Sequence, residues 1–342
     1  MEMKKVFTKK SEREIIEHIN GLLGLPADKH LIKGIGDDCA VLRKDQQNCF
    51  LVTTDTLIEG VHFDLAWHPP LLLGRKAAAV NISDIAAMGG QPRFALLNMA
   101  FPDSAPAWLD DFLAGFFEML QEYDTHLVGG DTVKSSNDLS ITVTIIGEAA
   151  EGTIGYRAGA VCDDLVFVSG ALGNAAAGLA LCRAGIPDDG LKQWQQLVRA
   201  HLDPQPQVRL GRMLAKSGLV HAMMDISDGL ATDLAHICKE SGTGAEIIKD
   251  NLPVSELLQS AAGKLEIPVL DWILKGGEDY QLLFVVSPGH EQDLRELVRE
   301  KNGREIFCIG RIMEGQGVFL SDGVNRQDVS YQGYDHFRDS KE

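Results

Sequence analysis

Five short stretches of this 342-residue chain hold aspartate in turns rich in glycine, serine or threonine, each at the end of an apolar run. They are G-I-G-D-D-C (34–39), V-T-T-D-T (52–56), N-I-S-D-I-A-A-M-G-G (81–90), V-G-G-D-T (128–132) and D-I-S-D-G (225–229). Hard cations such as Mg²⁺ take oxygen ligands, commonly one or two carboxylates each, and complete their shell with water and substrate phosphate. A strand end followed by a glycine turn presents a carboxylate rigidly and lets backbone and phosphate come close. Asp84 is the sharpest of the set. It lies inside the otherwise apolar A-V-N-I-S-D-I-A-A-M, where an unpaired carboxylate would be costly and demands a compensating charge. Taken singly, each motif also suits an ordinary turn or cap, and Asp225–Gly229 could simply open the helix that follows.

Other chemistry is poorly supported. There is no G-x-x-x-x-G-K-[ST], G-x-G-x-x-G, G-x-S-x-G, H-E-x-x-H or kinase H-R-D set. G-A-L-G-N-A-A-A-G (170–178) is a weak phosphate-loop signal that suits close strand–helix packing better. The six cysteines are scattered with no C-x-x-C pair, which argues against zinc and disulfides and for free thiols in a reducing compartment. Acids outnumber Lys and Arg 49 to 32, a net charge of −17. That field repels nucleic acid and anionic membranes, and it repels phosphorylated substrates unless divalent cations intervene. The N-terminus lacks an apolar signal-peptide core and no run is long enough to span a bilayer, so we expect a cytoplasmic protein with neither nucleic acid nor membrane as partner.

The elements that must position these aspartates follow from periodicity. Residues 11–24 predict an amphipathic helix, 39–42 and 49–63 strands, 74–88 an Ala-rich helix, 93–101 a strand and 106–122 a helix; H-L-V-G-G-D-T-V and L-S-I-T-V-T-I-I-G-E-A read as strands. A glycine-punctuated stretch at 149–164 marks a boundary, giving an N-terminal domain over 1–150 and a C-terminal domain over 151–342. Beyond it we expect a strand at D-L-V-F-V-S-G, helices at 173–184 and 205–217, and a strand, turn and helix across H-A-M-M-D-I-S-D-G-L-A-T-D-L-A-H-I-C-K-E-S. A-E-I-I-K-D, E-D-Y-Q-L-L-F-V-V-S, I-F-C-I-G-R-I and G-V-F-L-S-D are further strands.

These motifs in this order resemble the thiamine-monophosphate kinases, in the superfamily of aminoimidazole ribonucleotide synthetase and selenophosphate synthetase. The match runs from G-I-G-D-D-C-A near residue 34 to G-Y-D-H-F at 333–337 and includes G-G-E-D-Y at 276–280. The resemblance implies an α+β protein of two domains. The N-terminal sheet domain binds ATP and Mg²⁺ and forms a barrel across a homodimer; the C-terminal domain is an α/β sandwich. It places metal ligands at Asp38, Thr53, Thr54, Asp55, Asp84, Asp131, Asp225 and Asp228, nucleotide contacts at Gly130, Asp131, Arg157 and Ser227, and thiamine-phosphate contacts at His62, Glu278 and Tyr334. After Arg157 the chain reads A-G-A-V-C-D-D, where the family commonly has a Pro-Gly-Asp turn.

The implied reaction is phosphorylation of thiamine monophosphate by ATP, with several Mg²⁺ ions screening the two anions in an acidic cleft. The attacking phosphate oxygen is already largely ionised, so direct in-line transfer needs no general base. Tyr334 would face the cationic thiazolium, and Glu278 would accept a hydrogen bond from the pyrimidine amine or balance the ring's charge. Selenophosphate synthetase is disfavoured because residues 1–30 contain no cysteine. Aminoimidazole ribonucleotide synthetase-like chemistry, a metal-dependent phosphohydrolase and a non-catalytic Mg-nucleotide module are the alternatives.

Overall fold

Alternation of apolar and polar residues along N-C-F-L-V-T-T-D-T-L-I and S-I-T-V-T-I-I-G-E-A-A makes two long strands, β3 (Asn48–Ile58) and β6 (Ser140–Ala150), which pair antiparallel over their full lengths. Around them a computed structural model, describing residues 10–22, 28–102, 107–185 and 192–337, builds the first of two sheets. Its six strands run β1-β2-β3-β6-β4-β5, with β1 at Leu31–Lys33, β2 at Ala40–Arg43, β4 at Gln91–Phe101 and β5 at His126–Lys134. Only the β4–β5 pair is parallel. Helices α2 (Pro70–Ala87) and α3 (Leu109–Glu122) pack on it around Leu51, Ile82, Phe112, Phe116 and Ile145. They meet backbone to backbone: a Cβ on Gly74 would fall 1.9 Å from the Phe112 carbonyl, and one on Gly115 1.8 Å from that of Leu71. Helix α1 (Glu12–Leu22) precedes the sheet and buries none of its residues.

The second sheet has seven strands, ordered β13-β12-β9-β11-β7-β10-β8. These are β7 (Leu165–Val168), β8 (Val220–Asp225), β9 (Gly244–Ile248), β10 (Leu282–Val286), β11 (Phe307–Met313), β12 (Gly317–Ser321) and β13 (Arg326–Asp328). Successive residues of β10 face opposite layers. Leu283 and Val285 join a core with α4 (Asn174–Arg183), α5 (Gln195–Leu202), α7 (Leu230–Ser241), α8 (Glu256–Leu265) and α9 (Val269–Lys275). Leu282, Phe284 and Val286 instead meet α6 (Val208–Ser217), α10 (Glu291–Asn302) and Ala87 of α2. Helix α2 thus lies between the two sheets, the relation on which the site depends.

The chain is mixed α+β, with two sheets and ten α-helices among the described residues. The first sheet is open, with β1 and β5 as edges, and no closed barrel forms within the described residues. Every residue of β5 is exposed. Residues 23–24 of the first expected helix and 106 of the third lie outside the described residues. Helices α5, α8, α9 and α10 were not legible, and the strand expected from Glu278 begins only at Leu282, because Glu278 and Tyr280 have φ of 66° and 48°. No described helix is long and apolar enough to cross a membrane.

Candidate active site

Adjacent residues of α2 reach in two directions. Ser83 donates to Asp225 Oδ2 at the end of β8 (2.5 Å), and Asp84 Oδ2 accepts from Thr53 of β3 (2.5 Å). Asp38, in the turn before β2, comes in beside them. Asp38, Asp84 and Asp225 each offer a carboxylate oxygen, and the three atoms lie within 4.8 Å of one another. Arg157, in the segment joining the sheets, donates from Nη2 (2.5 Å) and Nε (3.1 Å) to Asp38 Oδ1, while Asp38 Oδ2 is buried with no hydrogen-bond partner.

Burial raises these acids, and their neighbours add to it. Asp55 is pushed up to about 6, and Asp225 to about 7, by burial and, for Asp225, by Asp38. Asp84 rises well above the carboxylate range through burial and the charges of Asp55, Asp225 and Asp38. Asp228, in the turn opening α7, is pushed up to about 7, by burial first and then by Glu12. Like charges so placed require a cation or protons.

Two cavities, of about 580 and 650 Å³, share a wall that includes Asp38, Thr53, Thr54, Arg157, Ser227, Asp228 and Tyr334. The first runs toward α1 and α7, past Asp233, His236 and Lys239. The second passes Asp55 and Asp84 to an end lined by His62, Arg183, His201, Glu278 and His336. Thr54 lines both while its hydroxyl is held by Thr144 (2.9 Å) and the Val143 carbonyl (3.2 Å) of β6. Tyr334 N donates to the Asp228 carbonyl (2.9 Å) in the shared wall, and its ring meets His336 edge-on at 4.9 Å, with His62 5.0 Å beyond in the second cavity. His62 Nδ1 accepts from Ile58 N (3.0 Å), which leaves the proton of a neutral ring on Nε2. Burial, then the neighbouring His336, lowers its pKa further. Glu278 is not the solvated turn residue that G-G-E-D-Y suggests: its Oε1 lies 2.8 Å from Lys76 Nζ and its Oε2 2.9 Å from His201 Nδ1.

Residues 36–149 match the family described as AIR synthase related protein, N-terminal domain, and 163–323 its C-terminal domain. The chain is 38% identical over 311 residues to the thiamine-monophosphate kinase of Buchnera aphidicola from Acyrthosiphon pisum, covering 91% of this chain and 94% of that one. It is 38% identical over 307 residues to the Escherichia coli K12 enzyme of the same name, covering 89% and 91%. It belongs to the thiamine-monophosphate kinase family. A solved structure described as AaThiL complexed with AMPPCP and TMP superposes with a TM-score of 0.82 at 33% identity, covering 96% of this chain and 99% of that one. The hydrogenase maturation protein HypE shares the fold, with a TM-score of 0.67 at 19% identity.

Of the positions the thiamine-monophosphate kinase motifs single out, the folded chain brings together Asp38, Thr53, Thr54, Asp55, Asp84, Arg157, Asp225, Ser227, Asp228, His62, Glu278 and Tyr334. Gly130 and Asp131 stand apart on the exposed edge strand β5, where Asp131 Oδ1 accepts from Thr132 N (2.8 Å). Lys76 and His201 gave no signal beyond a lysine entering the apolar run R-K-A-A-A and a lone histidine. G-A-L-G-N-A-A-A-G is not open to phosphate: the Asp279 carboxylate takes the N–H groups of Gly173 (2.5 Å) and Ala175 (3.0 Å) at the start of α4.

Proposed function

We propose that this chain transfers the γ-phosphoryl group of ATP to thiamine monophosphate, giving thiamine diphosphate and ADP. The convergence of Asp38, Asp84 and Asp225 within 4.8 Å, beside the shared wall of two cavities, carries this conclusion. Membership of the family and the relative solved with AMPPCP and TMP support it.

The donor set suits a hard divalent cation. It is all oxygen, its carboxylates are held above their ordinary range by burial, and one oxygen of Asp38 has no partner. Asp38, Thr53, Thr54, Asp55, Asp84, Asp131, Asp225 and Asp228 would hold several Mg²⁺ ions, which when bound offset the repulsion between ATP and the acceptor phosphate. Arg157 and Ser227 would steady the nucleotide in the cavity beside α7. His62, Glu278 and Tyr334 would orient the acceptor in the other, with Tyr334 in the wall between the two, so that a phosphate oxygen meets the γ-phosphorus in line. No proton need leave that oxygen, and His62 is held as a neutral Nε2–H donor, the wrong tautomer for a base facing the cleft.

Homodimer formation through the open edge β5 is part of this proposal, as the route by which Gly130 and Asp131 would join a cleft. The test is direct: incubate the protein with MgATP and thiamine monophosphate and chromatograph the products. Thiamine diphosphate and ADP in equal amounts are expected; ATP loss with free phosphate and no thiamine diphosphate would point to a hydrolase.

A further inference from the structure

Lys76 is fully buried in α2, between the sheets, and its ammonium lies 2.8 Å from Glu278 Oε1. A buried lysine is costly unless paired, so this contact has been built, not left over. Its neighbour Arg75 faces away, to Asp203 at 2.7 Å. The Glu278 end is equally fixed. Its N–H donates to the Ser227 carbonyl (2.8 Å), its φ is 66°, and a Cβ on the preceding Gly277 would fall 2.1 Å from the same carbonyl. His201 holds the second oxygen at 2.9 Å, and Trp67 lies against the His201 ring at 5.6 Å. The carboxylate, 24% exposed, still turns a face to the cavity, and each oxygen keeps a lone pair.

Charge decides what that face can read. Lys76 already balances Glu278, so a second cation there would sit beside a buried ammonium. A flat ring cation is better served by the Tyr334 ring, which stands against His336 on the same cavity. What the balanced carboxylate can still accept, on the lone pair each oxygen keeps toward the cavity, is a further uncharged N–H donor.

We propose that Lys76 is a positioning residue that acts through Glu278, turning its carboxylate into a charge-balanced acceptor for an uncharged amine on the acceptor substrate, not for the ring cation. This rests on the reading that the acceptor is thiamine monophosphate, whose aminopyrimidine supplies such an amine.

The experiment compares the unaltered protein with Lys76→Met, Lys76→Arg, Glu278→Gln and the double variant Lys76→Met/Glu278→Gln. The acceptors are thiamine monophosphate and its analogue bearing an oxo group in place of the pyrimidine amine. The unaltered protein should prefer the amine by at least about tenfold in kcat/KM, because a site built for a donor rejects the analogue lacking it. Lys76→Met should raise the thiamine-phosphate KM about tenfold, leave the ATP KM within about twofold and abolish the preference, with Lys76→Arg restoring much of it. Should Lys76→Met fold poorly, the double variant removes both charges and should do no worse than Glu278→Gln in acceptor KM, because Lys76 acts on the acceptor through Glu278. A preference intact in Lys76→Met, or a double variant worse than Glu278→Gln, overturns this inference alone. No thiamine diphosphate from the unaltered protein overturns the proposed function and this inference together.

Discussion

Asp38 and Arg157 meet at 2.5 Å in the seam between the sheets, so that a carboxylate of the site is paired through one oxygen and unpaired through the other. Arg157 does two jobs at that point. It offsets part of the burial that raises Asp38, and it leaves Oδ2 free for a cation.

Arg157→Gln should therefore cost more without Mg²⁺ than with it. Removing one partner of a buried pair leaves an uncompensated charge, an effect of about 3–5 kcal/mol. A bound cation beside Asp38 would return part of that loss. Thermal melting in EDTA and in Mg²⁺ measures both; an equal loss in the two buffers would mean that Asp38 is not a metal ligand. The ATP KM should rise in the same variant.

The raised acids set a pH dependence with a definite sign. Asp55 titrates at about 6 and Asp225 and Asp228 at about 7 in the folded chain, against about 3.9 for an unfolded aspartate. The folded state binds the extra protons, so the stability they confer is full below pH 4 and is lost as pH rises through 6 and 7. Metal-free protein should melt at progressively lower temperature from pH 5 to 8, and Mg²⁺ should flatten the slope by replacing the protons. Parallel slopes in EDTA and Mg²⁺ would refute the metal assignment.

Asp131 offers a test in trans. Asp84→Asn and Asp131→Asn should each be inactive alone. If β5 of one subunit completes the cleft of another, a mixed dimer carries one site with both lesions and one with none. Refolding the two variants together should then restore about a quarter of full activity, half the dimers being mixed with one sound site each. No recovery from a mixture shown to exchange subunits would mean that Asp131 does not act across the dimer.

The Gly-, Ser- and Thr-rich motifs made the aspartates legible, although only Asp38 and the Asp225–Asp228 segment stand at turns: Asp55 lies inside β3, Asp84 inside α2 and Asp131 inside β5. Asp84 stood out because its apolar setting demanded a partner. Asp38, Asp225 and Thr53 supply that setting in the folded chain. Position within a motif did not reveal strand order. V-T-T-D-T and V-G-G-D-T look alike, yet β3 is central and β5 an edge, a difference created by pairings distant in sequence. Nor could composition separate Arg75 from Lys76, since which of two adjacent cations is buried depends on the phase of α2 against a domain more than a hundred residues on. Glu278 and Asp279 likewise part company only through a left-handed backbone: one turns to Lys76, the other to the N-terminus of α4.

Tyr334 should distinguish a reading head from a C-terminal anchor. Its main chain is pinned to Asp228 and its side chain is half exposed between the two cavities, so truncation leaves the backbone contact in place. Tyr334→Ala removes the ring that would face the thiazolium and should raise the thiamine-phosphate KM by about tenfold, the scale of a partly desolvated cation–π contact of about 1–2 kcal/mol. Tyr334→Phe keeps the π face and loses only the hydroxyl, whose contact with His336 Nδ1 is long at 3.4 Å, so it should stay within about twofold of the unaltered protein. The ATP KM should hardly move in either. Steady-state kinetics with each substrate varied separates the cases: equal losses for ATP and acceptor in Tyr334→Ala would mean that the ring props up Asp228 and the cleft as a whole, and a Phe variant as poor as Ala would assign recognition to the hydroxyl instead of the ring.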